Sequence, residues 1–427
     1  MFPVEVGKVV VCLGERSLEA LFERFLSTKI FKNRDVLSHT YVPDELPHRD
    51  EQIEKVGLIL ASALKGGTPS NVFIYGKTGT GKTAVVRFVL KHLVAKCHEL
   101  NVPAPLPAYL NCRIVNTNYR VLARLCSYLG VEVPFTGLPT DEVYSRFRDV
   151  LDSRDVLMII VLDEVERLVE RDGSNVLYDL TRMNHTVLKR ARVSIIGITN
   201  DLTFKDNLDP RVLSSLGEEE LVFPPYTAAE LRDILWQRAQ LAFREGALEG
   251  PGVINLCAAI AAKEHGDARR ALDLLRVAGE IAEREGAEKV SEEHVRAAQH
   301  VIERDHLVEA LRTLPMHSKL VLYTIFELTK QGRGKARTGD IYNYYLNVCR
   351  RLHVEPLTQR RVSSLINELD MLGVVAAHLK SRGRHGLSKE VKLNVSVNQV
   401  KQVLEEDSFI KKLSSSDSSP LFEASPQ

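Results

Sequence analysis

The segment that most constrains this chain is Gly76-Lys-Thr-Gly-Thr-Gly-Lys82-Thr83, which matches the pattern G-x-x-x-x-G-K-[ST] in full. It follows a short apolar run, Val72–Tyr75, and precedes an amphipathic stretch, residues 84–93. A glycine-rich turn between a strand and a helix lets successive backbone N–H groups surround phosphates at the helix N-terminus. The sequence therefore predicts an α/β domain with a parallel sheet and a phosphate-binding loop.

This motif assigns separate tasks to its residues. Lys82 is expected to reach the β- and γ-phosphates of a nucleotide, and the Thr83 hydroxyl is expected to bind Mg²⁺. The predicted nucleotide contacts of the turn are Gly76, Lys77, Thr78, Gly79, Thr80, Gly81, Lys82, Thr83 and Ala84. A chance turn of glycine, lysine and threonine is the alternative, and the flanking strand and helix disfavour it.

Two later apolar runs also end in polar side chains. Residues 157–162 lead into Asp163 and Glu164, and residues 193–198 are followed closely by Asn200. Asp163 is predicted to hold Mg²⁺, and Glu164 to polarise an attacking water. A buried strand that simply runs into a solvated acidic turn is the alternative for this pair. Asn200 is predicted to bind the γ-phosphate or position the water, although Asn-Asp also commonly begins a loop.

An arginine from a later helix completes the predicted set. Gly266-Asp-Ala-Arg-Arg270 opens a helix, and an arginine in its first turn can reach phosphates across a cavity. Arg269 is the predicted contact, whereas Arg270 is expected to form a salt bridge. The candidate catalytic residues are Lys82, Asp163, Glu164, Asn200 and Arg269.

The order of patterns divides the chain into blocks. Alternating strands and helices occupy residues 31–223, and the Thr227-x-x-Glu230 capping box opens an all-helical segment after Pro224-Pro225. The predicted domains are an N-terminal extension at 1–30, an α/β nucleotide-binding core at 31–223, a helical lid at 224–304, a third domain at 305–410 and a disordered Ser/Pro-rich tail at 411–427.

Composition adds only broad limits. The formal net charge is +1, so any basic surface must be local. The 6 cysteines are scattered without a Cys-x-x-Cys pair, which favours reduced thiols over a metal knuckle or disulfide framework. No apolar run reaches transmembrane length, and we expect a cytoplasmic protein that does not use a membrane.

The third domain has the pattern of a winged helix. Residues 318–328 predict one helix, Thr338 is expected to cap a second, and Thr358 a third. Strand candidates at 374–380 and 390–395 follow, separated by a glycine-containing turn. Three helices and a hairpin in this order are typical of a winged helix-turn-helix.

The third helix and the hairpin turn carry the candidate DNA contacts. Arginines and amides at a helix N-terminus suit base edges and phosphates in a major groove, and arginines on a wing suit the minor groove. The predicted DNA-binding residues are Thr358, Gln359, Arg360, Arg361, Ser363 and Asn367 on the helix, with Arg382, Gly383 and Arg384 in the turn. Winged helices also dock proteins, and that alternative stays open.

Together, the motifs resemble those of the archaeal replication-initiator family, related to the eukaryotic origin recognition complex and cell-division-control loader proteins. The resemblance spans residues 31–397 and includes FKNRDVL at 31–37, GDARRALDLLR at 266–276 and TQRRVS at 358–363. It implies that Tyr41, Val42, Pro43 and Arg49 flank the adenine, and that Tyr226 closes the same pocket.

The resemblance also implies a helical insertion in the core, at residues 116–129, that contacts DNA. Its expected exposed contacts are Asn118, Tyr119, Arg120 and Arg124, and its expected core face is Val121, Leu122, Leu125 and Leu129. The chain departs from its relatives at the expected arginine finger, because the position where related proteins often carry Ser-Arg reads Ser215-Leu216. Arg211 is the substitute candidate.

The implied activity is that of an ATP-dependent initiator with weak ATPase activity. Such a protein binds duplex origin DNA, switches between ATP and ADP states with Mg²⁺, and recruits replicative helicase and related initiator subunits. Two alternatives remain. One is a clamp-loader-like remodelling ATPase, which the winged helix disfavours, and the other is a transcriptional regulator that uses nucleotide structurally.

Overall fold

The computed structural model describes residues 4–6, 9–11, 30–38, 41, 43–134, 137–216, 219–331, 335–381, 387–407 and 410–411. The chain divides into two compact units, residues 1–298 and residues 299–427. Most of the predicted N-terminal extension and all of the predicted tail after residue 411 lie outside the described residues. Within these ranges, no helix combines the length and the apolar character needed to cross a membrane.

The first unit is built on a five-stranded parallel sheet. Ahead of it, β1 (Val4–Val6) and β2 (Val9–Val11) form an antiparallel hairpin. The sheet strands are β3 (Val72–Tyr75), β4 (Leu106–Asn111), β5 (Leu157–Asp163), β6 (Arg192–Thr199) and β7 (Glu219–Val222), in the spatial order β4-β5-β6-β3-β7. The strands predicted from apolar runs are thereby confirmed. Strand β7 escapes prediction because it is an edge strand, and three of its four side chains are exposed.

Strand β5 explains why the predicted runs lack polar alternation. Met158, Ile160 and Leu162 belong to the core on one face of the sheet, whereas Ile159 and Val161 belong to the core on the other. Successive strand residues point to opposite faces, so a sheet covered on both sides requires a continuous apolar run.

Helices supply both of those cores. The helices that precede the lid are α1 (Asp50–Leu60), α2 (Lys82–Leu100), α3 (Asn118–Tyr128), α4 (Thr140–Ser153), α5 (Glu166–Asp172), α6 (Asn175–Thr186) and α7 (Pro210–Leu216). Helices α1 and α2 pack on one face of the sheet, and α3, α4 and α6 pack on the other. The sheet is therefore the middle layer of three.

The helices of the lid follow. They are α8 (Ala228–Ala242), α9 (Pro251–Lys263), α10 (Ala268–Glu285) and α11 (Glu292–Thr313), which continues past the division between the two units. The predicted capping box of α8 is confirmed, since the Thr227 and Glu230 side chains each bond the other residue's backbone N–H.

Residues 31–38, at the start of the predicted core, pack on the lid. Lys32 and Asn33 donate backbone hydrogen bonds to the Ala242 carbonyl at 2.7 and 3.0 Å. The Phe31 ring stacks on Phe243 with 4.8 Å between centroids. The sequence pattern places residues 31–38 with the α/β core, but their contacts are with α8 and α10. Strand and helix periodicity cannot reveal which layer a short irregular segment joins.

The second unit has the predicted three helices and hairpin. Its elements are α12 (Met316–Lys330), β8 (Ala336–Arg337), α13 (Thr338–Leu352), α14 (Gln359–Met371), β9 (Val375–Ser381), β10 (Leu387–Leu393) and α15 (Val397–Glu406). The strands form an antiparallel sheet in the order β8-β10-β9. This is the architecture of a winged helix.

Two local predictions in this unit have different outcomes. Thr358 is the N-cap of α14, as predicted, and its side chain accepts a hydrogen bond from Arg361 N–H. The prediction that Thr338 caps α13 is wrong, because Arg337 occupies the cap position and Thr338 is the first helical residue. The Thr338 hydroxyl instead donates to the Lys389 carbonyl at 3.3 Å, so it joins α13 to β10.

Candidate nucleotide site and nucleic-acid interface

A cavity of about 610 Å³ opens at the carboxyl edge of the parallel sheet. The carboxyl ends of β3, β5 and β6 meet there, which is where open α/β sheets bind ligands. The predicted site residues that line it are Tyr41, Pro43, Thr78, Gly79, Thr80, Gly81, Lys82, Thr83, Ala84, Asp163, Glu164, Asn200, Tyr226 and Arg269. Gly76, Lys77 and Arg49 do not line it, and Val42 lies outside the described residues.

Two glycines of the loop are required by close contacts. Gly79 has φ of +73°, and a Cβ there would lie 1.7 Å from the Asp267 Oδ1 atom. Gly81 has φ of +89°, and a Cβ there would lie 2.7 Å from the Tyr226 hydroxyl. Only glycine combines a left-handed backbone with so close an approach. The loop therefore packs directly against residues of the lid and its hinge.

The Lys82 ammonium group lies at the centre of a hydrogen-bonded network. It donates to the carbonyls of Gly76 and Lys77 at 2.6 and 2.7 Å and to Asn200 Oδ1 at 3.0 Å. Burial lowers the pKa of Lys82 to about 8, although the Asp163 charge acts in the opposite direction. A buried cation whose pKa is depressed is poised to respond to an anionic ligand.

The Asp163 carboxylate is held by two hydroxyl groups. Thr83 Oγ1 donates to Asp163 Oδ2 at 2.8 Å, and the Tyr109 hydroxyl donates to the same oxygen. Burial and the nearby carboxylate raise the pKa of Tyr109, so its hydroxyl stays a donor. Thr83 and Asp163 are thus adjacent, as their predicted role requires. Sequence reasoning misses Tyr109, because nothing in a strand pattern shows which residue touches the next strand's terminus.

Glu164 differs from Asp163 in backbone and surroundings. It is half-buried, it lines the cavity, and its φ of +56° places it in the left-handed region. Left-handed non-glycine residues are uncommon and are found disproportionately at functional sites. The next residue of the turn, Val165, donates its N–H to the Ile198 carbonyl of β6 at 3.1 Å.

A third carboxylate, Glu166, belongs to the site and was not predicted. It is 7% exposed and accepts hydrogen bonds from the Asn200 backbone N–H and side-chain Nδ2 at 3.4 and 3.3 Å. An ionised carboxylate only accepts, so it orients the Asn200 amide with Oδ1 toward Lys82. Its signal in the sequence is weak, because Glu166 reads simply as the first residue of an amphipathic helix.

The two arginines at the start of α10 have different surroundings. The Arg270 Nε atom donates to Glu264 at 2.7 Å, which forms the expected salt bridge. Arg269 is exposed and lines the cavity. Burial is the main cause of the low pKa of Lys82, and the Asp163 charge raises that pKa. The positive charge of Arg269 lowers it further. Arg269 therefore remains the candidate phosphate contact from the lid.

The expected adenine end of the cavity is lined by Tyr41, Pro43 and Tyr226. Arg238 was not predicted as part of the site. Its guanidinium lies 4.8 Å from the Tyr41 ring centroid, and its NH1 atom donates to the Val36 carbonyl at 3.2 Å. This side chain fixes the position of the Tyr41 segment against α8.

Arg49 is buried beside the cavity. It is 2% exposed and is not among the residues that line the cavity, so its contact with a base stays a prediction. Its guanidinium donates to the carbonyls of Thr80 and Pro224 at 2.9 and 2.8 Å, and it stacks 3.7 Å from the Tyr226 ring centroid. Arg49 thereby links the phosphate-binding loop to the lid hinge.

Arg211, the candidate arginine finger, is paired with Asp209 of the same chain. Its side chain is 73% exposed, and its NH2 atom donates to Asp209 Oδ2 at 2.7 Å. The same bond lowers the pKa of Asp209 to about 2. The guanidinium also lies 5.7 Å from the Tyr178 ring centroid.

The predicted insertion is a helix, α3, whose expected core face is confirmed. Val121, Leu122, Leu125 and Leu129 are buried. Arg120 and Arg124 are exposed, as expected, but Asn118 and Tyr119 are half-buried. The Asn118 N–H donates to Asp172 at 2.6 Å and the Tyr119 hydroxyl to the Pro134 carbonyl at 2.5 Å. These last two side chains are engaged by the fold itself.

On α14, the polar face lies opposite the buried stripe, as predicted. Thr358, Gln359, Arg360, Arg361 and Asn367 are exposed, and Ser363 is half-buried. The Ser363 hydroxyl donates to the Gln359 carbonyl at 3.0 Å, and Lys389 of β10 donates to Asn367. Arg382, Gly383 and Arg384 lie outside the described residues.

Comparison with protein families matches three successive parts of the chain. Residues 65–203 match the AAA domain, residues 232–300 match the Cdc6 AAA+ ATPase-type lid domain, and residues 309–403 match the CDC6 C-terminal winged helix domain. Together these matches follow the order of the core, lid and winged helix described above.

Individual relatives cover almost the entire chain. The ORC1-type DNA replication protein of Thermococcus onnurineus is 57% identical over 400 residues, 92% of this chain and 96% of that protein. The ORC1-type DNA replication protein 1 of Methanosarcina acetivorans is 54% identical over 401 residues, which cover 93% of this chain and 96% of that protein.

A solved structure agrees with both. The Aeropyrum pernix ORC1 protein in complex with DNA is 51% identical and has a TM-score of 0.78, covering 91% of this chain and 100% of that one. The resemblance predicted from the motifs is thereby confirmed. Given its AAA+ core, its Cdc6-type lid and winged helix, and its extent of identity, the chain belongs to the family of ORC1-type DNA replication proteins.

Proposed function

We propose that this protein is an ATP-dependent initiator of DNA replication. It binds duplex origin DNA through α14, the wing and helix α3, and the bound nucleotide, ATP or ADP, sets its conformation. Family membership supports the initiator role, because relatives more than half identical are DNA replication proteins. A related protein, the ORC1 protein of Aeropyrum pernix, is known in complex with DNA.

The donor groups of the cavity fit Mg²⁺ and a triphosphate. A hydroxyl and a carboxylate oxygen 2.8 Å apart, from Thr83 and Asp163, are hard oxygen ligands of the kind that Mg²⁺ prefers. Bound Mg²⁺ would neutralise phosphate charge. Lys82 and Arg269 supply positive charge toward the phosphates, and Glu164 is placed at the cavity wall to orient water.

The contact between the loop and the lid supports the switch most directly. Ala268, the first residue of α10, donates its N–H to the Gly79 carbonyl at 3.2 Å. Asp267 caps the same helix and lies against Gly79. A ligand that displaces the loop by a fraction of an ångström must therefore also move the start of α10. Differential contact of ATP and ADP with this junction would shift the balance of lid positions.

Two exposed sets of polar and basic residues support duplex binding. Gln359, Arg360 and Arg361 project from the N-terminal turn of α14, where side chains reach base edges in winged helices. Arg120 and Arg124 are exposed on α3. We further propose, from the family resemblance, that replicative helicase and related initiator subunits are recruited as the output.

A footprinting experiment tests the proposal. The full chain is applied to duplex fragments from the host's replication-origin region with MgATP, with MgADP or without nucleotide, and ATP hydrolysis is followed in parallel. We expect one discrete protected site, a protection pattern that depends on the nucleotide, and slow hydrolysis. Lys82→Ala is the matched variant, and it should lose the nucleotide dependence while its winged helix still binds DNA.

The alternatives give different results. Fast hydrolysis over many cycles, stimulated by DNA and without a discrete site, would indicate a remodelling motor. No discrete site in the origin fragments but one in promoter fragments tested in parallel, with the same footprint in all nucleotide states, would indicate a transcriptional regulator. Either result would overturn the initiator assignment.

A further inference from the structure

Two tyrosine side chains hold the link between α13 and α14, and both bond the backbone of the same residue, Leu357. Leu357 immediately precedes Thr358, the N-cap of α14. Its backbone N–H donates to the Tyr345 hydroxyl at 3.1 Å, and its carbonyl accepts from the Tyr342 hydroxyl at 3.3 Å. The backbone N–H and carbonyl of Leu357 are therefore both bonded by side chains of α13.

The two tyrosines form a rigid pair. They are three residues apart, so they lie on the same side of α13. Their rings are nearly parallel, with 6.3 Å between centroids and an interplanar angle of 25°. Tyr345 is fully buried and Tyr342 is half-buried. A ring that is packed on its neighbour has little freedom, so its hydroxyl is a fixed anchor for the peptide.

A third helix supports the buried member of the pair. The Tyr345 hydroxyl lies 2.8 Å from His317 Nδ1, on α12. This hydroxyl therefore contacts both the Leu357 N–H and the imidazole nitrogen. The chain of contacts His317, Tyr345, Leu357 thus connects α12 and α13 to the start of α14.

We propose that Tyr342 and Tyr345 are positioning residues for DNA recognition. By holding the peptide of Leu357, they fix where Thr358 starts α14 and so where Gln359, Arg360 and Arg361 are presented. The inference rests on the proposed function, since it assumes that α14 reads duplex DNA. Binding groups must be held within about 0.5 Å of their productive geometry, so a loosened helix start weakens base contacts before it unfolds anything.

The test removes one hydroxyl at a time. Tyr342→Phe and Tyr345→Phe keep the stacked rings and delete only the anchors. We expect each variant to bind the specific origin duplex about threefold to tenfold more weakly, the effect of one hydrogen bond, while affinity for a scrambled duplex stays unchanged. Thr324→Val is the matched control, because its buried hydroxyl bonds only the Leu320 carbonyl of its own helix, α12.

Thermal unfolding of the full chain is measured alongside DNA binding. All three variants lose one hydroxyl, so each is expected to have a lower Tm, with the largest decrease for Tyr345→Phe, whose hydroxyl contacts both Leu357 and His317. Only the tyrosine variants should lose discrimination between the two duplexes. Tyr342→Phe, at a half-buried position, keeps the test valid if Tyr345→Phe does not fold.

Equal loss of affinity for both duplexes, or no loss for either, would reject the positioning role alone, provided that the wild-type chain discriminates. A wild-type chain without preference for the origin duplex would reject the proposed function and this inference with it.

Discussion

The pH dependence of nucleotide affinity offers a direct test of Lys82. Its ammonium is buried among the carbonyls of Gly76 and Lys77, and burial lowers its pKa from 10.5 to about 8. The phosphates of a nucleotide are anionic, so they favour the protonated lysine. Affinity is therefore expected to be fully present below the pKa of the free protein and to decline as the pH rises through about 8.

The size of the decline follows from that pKa. Between pH 7.5 and pH 9, the protonated fraction of a group with this pKa falls from about three quarters to about one tenth. If only the protonated form binds phosphate well, the dissociation constant rises by about eightfold over this interval. Because bound phosphate keeps the lysine charged, about 0.9 proton should be taken up per nucleotide bound at pH 9.

Isothermal titration calorimetry with MgADP measures both quantities. Titrations at several pH values give the dissociation constant, and titrations in buffers of different ionisation enthalpy give the proton uptake. Lys82→Arg is the matched control, because a guanidinium stays charged across the whole interval. Its affinity is expected to be weaker at every pH but almost independent of pH.

The reasoning would fail in either of two ways. A wild-type affinity that changes less than twofold between pH 7.5 and pH 9 would show that Lys82 does not titrate there. Equal slopes for the wild type and Lys82→Arg would assign the titration to another group.

Two further substitutions test the site. Glu164→Gln should leave the affinity for MgATP within about twofold of wild type but lower the rate of single-turnover hydrolysis by about 100-fold or more. The reason is that only the carboxylate can accept a proton from water. Unchanged hydrolysis would remove Glu164 from the mechanism. Gly79→Ala should lower both Tm and nucleotide affinity, since its Cβ would lie 1.7 Å from Asp267 Oδ1 at φ +73°. Gly57→Ala is its control, a position in α1 where an added Cβ would meet no described atom outside its own stretch of helix within 4 Å, so Tm should stay equal or rise. Equal behaviour of the two alanine variants would refute the close contact.

Much of the site was predictable because its residues follow strand ends within short motifs. The loop at 76–83 identifies β3 and α2, and Asp163 and Asn200 each follow an apolar run. The carboxyl ends of parallel strands meet at one edge of a sheet, so local patterns suffice to bring these groups together. The buried stripe and exposed arginines of α14 were predictable for a similar reason, since helical periodicity assigns faces without knowledge of the neighbours.

Contacts between distant segments were not predictable. The roles of Tyr109, Glu166 and Arg238 depend on which side chains face them across the fold. The family resemblance implies that Arg49 flanks the base, and only the tertiary structure shows that its guanidinium bonds the Thr80 and Pro224 carbonyls.

The sequence by itself determined the class of the fold and the chemistry of the cavity, through motifs that are continuous along the chain. The tertiary structure decided how those parts are connected: Gly79 with Ala268, and Leu357 with Tyr342 and Tyr345. A hydrogen bond requires its two atoms to be about 3 Å apart, and sequence order does not determine which distant residues satisfy that distance.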